Sequence, residues 1–263
     1  MMDKKCNIGV FDSGVGGVSV LKKIIKLLPN ENIMYFGDTK NIPYGGRTKE
    51  EIQKLSKRIV EFLIMNNCKA IVIACNTATI ATLEMFKKQC NIPIIGIIDA
   101  GVEAVSSNGY NEIAIFGTPF TIESGEHVRK IQKKNKKMKI NTVPCRELCP
   151  MIEEGWESFE NRYEVLGEYM SHIPKTSDAL LLACTHYPFI MEDIEKRFDG
   201  KIIDPSEECA RELFRVLKKE DILNPKKEKG KLEFYVTGDK ESFKVKAEKF
   251  LDMNIKDVYK VNI

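Results

Sequence analysis

Two cysteines stand at the ends of matching apolar runs in this sequence. Residues 70–75 read AIVIAC and residues 179–184 read ALLLAC, and both runs have the composition of a buried β-strand. Polar residues follow each cysteine directly, namely Asn76 and Thr77 in the first place and Thr185 and His186 in the second. Ligands of open α/β sheets bind beyond the carboxyl ends of the strands. The pattern therefore predicts that Cys75 and Cys184 lie in a binding cleft.

A thiol on each side of a cleft suits one kind of chemistry. One group could remove a proton from a carbon atom and the other could return a proton to the opposite face, which is racemisation or epimerisation. Cysteine has an unperturbed pKa of about 8.5, so a modest fall gives a thiolate at neutral pH. The N–H groups of a following helix would favour a thiolate and could hold a substrate carboxylate. Either cysteine alone would more simply be a packed strand-end residue, since free cysteine is often buried.

The two cysteines occupy equivalent positions in an internal repeat of the sequence. Four segments of the first half have counterparts in the second at offsets of 105 to 109 residues: 7–13 with 112–118, 32–36 with 139–143, 70–75 with 179–184, and 97–100 with 202–205. Predicted strands, including residues 93–98, alternate with amphipathic stretches at residues 18–28, 50–66 and 78–89. This alternation predicts an α/β protein with parallel sheets covered on both faces. We expect two similar α/β lobes related by a pseudo-twofold axis, with the active site in the cleft between them.

The composition argues against several classes of protein. With 43% hydrophobic and 30% charged residues, the chain is predicted to be globular rather than disordered or membrane-spanning. Eight cysteines without a CxxC pair favour free thiols in a reducing cytoplasm, and the presence of only three histidines argues against a structural zinc site. A net charge of +3 gives no reason to expect a nucleic-acid partner, and the basic segment 127–139 lacks interleaved aromatic residues.

Further polar residues follow other predicted strands. The segment FDSGVGG places Asp12 and Ser13 at the end of the first strand, before a glycine-rich turn. The turn matches neither the dinucleotide fingerprint nor the P-loop, so we interpret it as a loop for a small anion, with Asp12 placed to assist a base. Thr118 occupies the position in the second repeat that Ser13 has in the first.

Three more segments are weaker candidates. Residues 42–46 read IPYGG, and their backbone around Tyr44 and Gly45 could offer donors to a ligand or form an ordinary turn. His186 lies two residues from Cys184 and could take part in proton transfer, although a lone histidine is more often structural. Glu153 lies at a predicted helix start, where an acidic residue usually only caps the helix.

Taken together, the segments DSGVGG, GDTKNIPYG, ACNTAT and ACTHYP resemble the cofactor-independent glutamate racemases of the aspartate/glutamate racemase superfamily. The resemblance runs from about residue 8 to about residue 239, almost the whole chain. It implies that Cys75 and Cys184 are the catalytic acid/base pair. Asp12 would support the first cysteine, and Glu153 and His186 the second.

The resemblance also implies a set of substrate-binding residues: Asp12, Ser13, Pro43, Tyr44, Gly45, Asn76, Thr77, Thr185 and His186, to which the repeat adds Thr118. One departure from the family concerns the segment before Glu153. This segment reads CPMIE here, whereas it often reads VPLIE or VPLVE in the family.

The same resemblance implies a wider biological role. Family members interconvert L- and D-glutamate without pyridoxal phosphate, supply D-glutamate for bacterial peptidoglycan in the cytoplasm, and commonly form homodimers. The C-terminal segment would return to the first lobe, which gives a first lobe of residues 1–99 plus 207–263 and a second lobe of residues 100–206. The residues alone leave open which lobe that segment joins.

Three alternatives remain open at this point. A racemase of aspartate or a related acid would differ only in its substrate. A non-catalytic amino-acid-binding protein with the same two lobes would leave the paired cysteines unexplained. A thiol hydrolase with Cys184 as nucleophile beside His186 would leave Cys75 unexplained.

Overall fold

A six-stranded parallel sheet forms the centre of the first lobe in the computed structural model, which describes residues 3–263. Met1 and Met2, with which the predicted first lobe begins, lie outside the described residues. The strands of this sheet are β1 (Asn7–Asp12), β2 (Ile33–Gly37), β3 (Cys68–Ile73), β4 (Ile94–Gly96), β9 (Leu232–Val236) and β10 (Val258–Lys260). Their order is β10-β9-β2-β1-β3-β4, so the C-terminal segment pairs with the first sheet through β9 and β2.

The second lobe contains a four-stranded parallel sheet. Its strands are β5 (Glu112–Gly117), β6 (Lys139–Pro144), β7 (Ala179–Ala183) and β8 (Lys201–Ile203), in the order β6-β5-β7-β8. The central strands of the first sheet, β2-β1-β3-β4, have the same order and direction. The prediction of two similar parallel-sheet α/β lobes is therefore confirmed.

Helices cover both faces of each sheet. They are α1 (Val18–Leu27), α2 (Lys49–Met65), α3 (Asn76–Gln89), α4 (Ile97–Ser106), α5 (Pro119–Glu123), α6 (Glu126–Lys134), α7 (Leu148–Gly155), α8 (Arg162–Ser171), α9 (Met191–Glu195), α10 (Ser206–Lys219) and α11 (Lys240–Leu251). Because both faces are covered, β1, β3, β5 and β7 are almost wholly buried, which explains their continuous apolar runs. Among residues 3–263, no helix has both the length and the apolar character that crossing a membrane requires.

The junction after β4 differs from the sequence prediction. Residues 93–98 were expected to form one strand, but β4 ends at Gly96 and α4 begins at Ile97. The match of residues 97–100 with 202–205 is therefore wrong, since the first segment is helical and the second contains the end of β8. The physical reason is that α4 is apolar on two faces. Ile97 and Ala100 pack in the core of the first lobe, whereas Ile98 packs in that of the second, so the sequence has a strand-like apolar run.

A buried ion pair joins four separate parts of the first lobe. The Lys69 ammonium lies 2.5 Å from Glu31 Oε2, and the two side chains are 0% and 2% exposed. Lys69 also donates to the carbonyl of Lys4 at 2.6 Å, and the other Glu31 oxygen accepts the Asn224 N–H at 2.7 Å. The pair therefore links β3 to the segments before β1, β2 and β9. The loss of one partner would leave the other as an uncompensated buried charge.

We expect Lys69→Met to lower the free energy of unfolding by about 3–5 kcal/mol, because Glu31 would stay buried without its counter-charge. The measurement is urea unfolding followed by circular dichroism. Lys57→Met is the control, since Lys57 makes only an exposed contact of 3.8 Å with Glu61, and it should change stability by less than about 0.5 kcal/mol. Equal stability of the two variants would contradict this account of the pair.

Candidate active site

The candidate residues gather where strands of the two sheets end. Asp12 is the last residue of β1, and Cys75 follows β3 and directly precedes α3. In the second lobe, Thr118 directly follows β5 and Cys184 directly follows β7. All four side chains are buried. The strand ends of both lobes therefore contribute to one region, as their matching positions in the repeat predict.

Cys75 lies in surroundings that favour the neutral thiol. Its sulfur accepts a hydrogen bond from the Ala78 N–H in the first turn of α3 at 3.4 Å, and it lies 3.8 Å from the Ser13 hydroxyl oxygen. Burial and the nearby Asp12 carboxylate nevertheless raise the pKa of the Cys75 thiol to about 12. At neutral pH this cysteine is therefore an acid that holds its proton.

Cys184 lies in surroundings of the opposite kind. Its sulfur is 3.7 Å from Nδ1 of His186. The neighbouring Cys149 thiol has the largest effect on its pKa, followed by the His186 side chain, which contacts the sulfur and carries a positive charge. Together these contacts outweigh burial and lower the pKa of the Cys184 thiol to about 5. At neutral pH Cys184 is therefore a thiolate and can act as a base.

Glu153 fixes the orientation of His186. Glu153 Oε2 lies 2.6 Å from His186 Nε2, which turns the other ring nitrogen, Nδ1, towards Cys184. Burial alone would lower the pKa of His186, but its hydrogen bonds to Cys184 and Glu153 raise it well above its usual range. Burial would likewise raise the pKa of Glu153, and the hydrogen bond and charge of His186 instead hold it below its usual value. The pair is therefore an imidazolium and a carboxylate.

Asp12 connects the two lobes. One carboxylate oxygen accepts the Gly14 N–H at 2.9 Å, and the other accepts the Thr185 hydroxyl of the second lobe at 3.0 Å. Burial raises the pKa of Asp12 to about 6 in spite of the nearby His186 charge and these two donors. The turn after β1 also lies close to His186, because a Cβ added at Gly16 would lie 2.5 Å from His186 Nδ1. That close approach explains a glycine at position 16.

Hydroxyl groups form a second contact between the lobes. Thr77 at the start of α3 lies 3.0 Å from the Thr118 hydroxyl and 3.3 Å from that of Thr121. Gly45 packs against Thr118, since a Cβ added at Gly45 would lie 2.6 Å from the Thr118 Cβ. Pro43 precedes the short 3-10 helix Tyr44–Gly46. The Tyr44 hydroxyl itself donates to Asp38 at 2.6 Å, so its side chain already has a partner.

The side chain of Asn76 has two polar atoms that lack a hydrogen-bond partner among the described residues. Its Oδ1 and Nδ2 are buried and make no hydrogen bond to any of residues 3–263. Buried polar groups in proteins almost always have a partner, so each exception needs an explanation. Asn76 is the first residue of α3, next to Cys75. A polar ligand beside the thiol would satisfy both atoms.

Cys149 was not among the residues predicted for the site. It is the second residue of α7, and its sulfur lies 3.6 Å from His186 Nδ1. The reactive atoms of Cys149, Cys184 and His186 all lie within 4.8 Å of one another. The only signal in the sequence was the departure CPMIE, in which Cys149 replaces the valine that is common in the resembling family.

Sulfur and imidazole groups such as those of Cys149, Cys184 and His186 could also hold a thiophilic metal ion. The expectation that the protein uses no metal stays a prediction.

A comparison with known families identifies the relationship of this chain. The profile described as "Asp/Glu/Hydantoin racemase" matches residues 8–213, which is most of the sequence. The chain belongs to the Asp/Glu/hydantoin racemase family. The resemblance that was drawn from the sequence motifs is therefore confirmed.

Within this racemase family, the chain is similar to several glutamate racemases along its whole length. That of Fusobacterium nucleatum is 46% identical over 263 residues, which cover 99% of each protein. The crystal structure of the Francisella tularensis glutamate racemase in complex with D-glutamate has a TM-score of 0.91 at 38% identity and covers 98% of both chains. Isoform RacE1 of Bacillus anthracis has a TM-score of 0.92 at 35% identity, over 99% of this chain and 98% of that one.

The contrast between the two cysteines predicts a difference in reactivity. At pH 7 we expect iodoacetamide to alkylate Cys184 at least about tenfold faster than Cys75, because the thiolate is the nucleophile. Both residues are 6% exposed, so access does not favour either one. Peptide mass spectrometry over time measures the two rates. Equal rates, or faster modification of Cys75, would contradict the assignment of protonation states.

Proposed function

We propose that this protein is a glutamate racemase that interconverts L- and D-glutamate without a cofactor. The observation that carries the proposal is the pair of matched cysteines, which come from different lobes and have thiol pKa values shifted in opposite directions. A racemase needs one base and one acid on opposite faces of a carbon atom. The choice of glutamate is supported by the identity of 46% with the glutamate racemase of Fusobacterium nucleatum.

In the proposed reaction, Cys184 as thiolate removes the α-proton of one enantiomer of glutamate. Cys75 as thiol then donates its proton to the opposite face of the α-carbon, which gives the other enantiomer. The protein is left with Cys184 protonated and Cys75 ionised. This state is the one that the reverse reaction needs, in which Cys75 removes the α-proton of the product enantiomer. Each cysteine is thus the base for one enantiomer and the acid for the other.

The intermediate is a carbanion next to a carboxylate, so the site has to stabilise negative charge. N–H groups at the start of α3 and the Asn76 amide are the donors that we assign to the substrate. Thr185 is assigned to the binding set through its hydroxyl oxygen, since the hydrogen is donated to Asp12. Ser13, Thr77, Thr118 and the backbone around Pro43, Tyr44 and Gly45 complete the proposed binding set. Apart from Pro43, which is exposed, these groups are buried or half-buried, and hydrogen bonds from fixed donors are strongest where water is excluded.

Three side chains are assigned supporting roles. His186 holds its positive charge beside the Cys184 thiolate, and Glu153 fixes the ring in that orientation through the contact of 2.6 Å. Asp12 is assigned a supporting role beside Cys75, because the negative charge of Asp12 helps to raise the pKa of the Cys75 thiol. Since Asp12 also accepts the Thr185 hydroxyl, it couples the geometry of the two halves of the site.

The proposed biological setting follows from the same family resemblance. D-glutamate made by this protein would supply bacterial peptidoglycan synthesis in the cytoplasm, and the protein would act as a homodimer. Sedimentation equilibrium of the purified chain tests the oligomeric state directly. The reaction itself requires only the small-molecule substrate, with no nucleic acid or membrane as a partner.

The activity is tested by proton NMR of L-glutamate, and separately of L-aspartate, with purified protein in D₂O and no added cofactor. We expect the glutamate α-proton signal to disappear while the circular dichroism of the amino acid decays to zero. Exchange on aspartate should be far slower. Loss of the α-proton from aspartate alone would move the assignment to an aspartate racemase, and binding of glutamate without any exchange would favour a binding protein.

Substitution of the cysteines tests the two-base mechanism. Cys75→Ala and Cys184→Ala should each lower kcat for racemisation by at least about 1,000-fold, because each removes one of the two acid/base groups. Cys145→Ala is the matched control: Cys145 is also a buried cysteine of the second lobe, and its thiol donates a hydrogen bond of 3.5 Å to the Val143 carbonyl. Its activity should remain within a few-fold of the unmodified protein. Substantial turnover by either active-site variant would argue strongly against the mechanism.

A further inference from the structure

Two sulfur atoms and one imidazole nitrogen form a compact cluster at the end of β7. The distances to His186 Nδ1 are 3.6 Å from the Cys149 sulfur and 3.7 Å from the Cys184 sulfur, and the three atoms all lie within 4.8 Å of one another. Two separate elements meet here, since Cys149 belongs to α7 and Cys184 follows β7. All three residues are buried. Thiolate sulfur and imidazole nitrogen are the donor atoms that zinc prefers in proteins.

The spacing of these atoms is that of ligands around a tetrahedral zinc ion. With Zn–S bonds of about 2.3 Å and a Zn–N bond of about 2.0–2.1 Å, tetrahedral geometry places a sulfur and a nitrogen ligand about 3.6 Å apart. The two distances to Nδ1, 3.6 and 3.7 Å, agree with this value. Three protein ligands would leave the fourth position to water, as in other zinc sites made of two cysteines and one histidine.

Glu153 provides the outer contact that metal-binding histidines usually have. Glu153 Oε2 lies 2.6 Å from His186 Nε2 and accepts a hydrogen from this nitrogen. A neutral ring with its hydrogen on Nε2 has its lone pair on Nδ1, which is the nitrogen that faces both sulfurs. A carboxylate in this place therefore fixes the orientation of the ring and makes Nδ1 a better ligand.

Cys149 is the member of the cluster that distinguishes this chain. The segment around it reads CPMIE, whereas valine is common at this place in the resembling family. Valine has no atom that can bind a metal ion, so a protein with valine here would keep only Cys184 and His186 as ligands. The third ligand brings the cluster to the number of protein ligands that is usual in zinc sites with an open position.

We propose that Cys149, Cys184 and His186 form a binding site for a zinc ion, and that the bound ion blocks the active site. Zinc forms bonds to the two thiolates and to Nδ1, and the protons that these atoms carried pass to the solvent. The Cys184 sulfur is then held by the ion and cannot take a proton from the substrate. The blocking of catalysis rests on the proposed racemase function, whereas the metal site itself does not.

Metal binding by the full-length protein tests the site directly. Chelator-treated protein, with its thiols kept reduced by a phosphine, is titrated with Zn²⁺ in competition with a chromophoric chelator. A second titration with Co²⁺ records the absorption spectrum, because cobalt replaces zinc in tetrahedral sites and absorbs in the near ultraviolet when a thiolate binds it. The variant is Cys149→Val. Cys145→Ala is the matched control, since Cys145 is a buried cysteine of the same lobe whose thiol donates to the Val143 carbonyl.

We expect the unmodified protein and Cys145→Ala to bind one Zn²⁺ per chain with a dissociation constant below about 1 μM, and Cys149→Val to bind it at least about 100-fold more weakly. The cobalt–thiolate absorption should be strong in the first two proteins and much reduced in Cys149→Val. Equal zinc affinity of Cys149→Val and the unmodified protein would overturn the proposal. Lack of cobalt–thiolate absorption in the unmodified protein would also overturn it, since the cluster would then be joined by hydrogen bonds alone.

A second variant tests the site without changing any of the three ligands. Glu153→Gln keeps the size of the side chain but removes the negative charge beside Nε2, so it should weaken zinc binding by about 10–100-fold. The same two titrations measure this loss. Zinc affinity that is unchanged in both Glu153→Gln and Cys149→Val would show that the ion binds at another place.

Racemisation of glutamate provides a separate readout. Zinc should inhibit the unmodified protein and EDTA should restore its activity. The zinc concentration for half-inhibition, relative to the uninhibited rate of each protein, should rise at least about 100-fold in Cys149→Val. Turnover that saturating zinc leaves unchanged would overturn the blocking role. A protein that binds zinc through Cys149 but never racemises glutamate would disprove the proposed function and leave the metal site intact.

Discussion

The hydrogen bond from Thr185 to Asp12 joins the two lobes at the place where their candidate active-site residues meet. Asp12 is completely buried, and its carboxylate has one donor from its own lobe and one from the other, at 2.9 and 3.0 Å. A buried carboxylate that lost one of these donors would be costly, so the lobes are held in register at this point. The neighbouring contacts, from Gly16 against His186 to Thr77 against Thr118, all depend on that register.

The two lobes repeat each other in topology but not in electrostatics. Both cysteines follow matching strands and are equally buried, yet the pKa of Cys75 is raised to about 12 and that of Cys184 is lowered to about 5. The difference arises from the side chains around them. Cys75 faces a carboxylate, whereas Cys184 faces an imidazolium that a second carboxylate holds in place. A duplicated scaffold thus provides two equivalent positions, and the residues that line them shift the pKa of one thiol upwards and that of the other downwards.

Much of this arrangement could be predicted from the sequence. The repeat of AIVIAC and ALLLAC located both cysteines at strand ends, since apolar runs that end in polar residues are typical of buried parallel strands. The position of Cys149 could not be predicted, because its approach to His186 depends on how α7 packs across the end of β7. The start of α4 was misread because Ile97 and Ile98 pack on two different cores and so continue the apolar run of β4 into the helix. Local patterns therefore located the strands, whereas contacts between distant elements required the structure.

The pairing of β2 with β9 has a consequence for how the chain folds during synthesis. Ile33 pairs with Leu232, so one edge of β2 has no partner until β9, far along the chain, has been made. The strands of the second sheet, by contrast, all lie between Glu112 and Ile203 and can pair before β9 leaves the ribosome. The first sheet meanwhile presents an apolar, unpaired edge, which is the kind of surface that chaperones cover and that aggregates when it is not covered. A strand that is translated late, β9, therefore covers the edge of a strand that is translated early, β2.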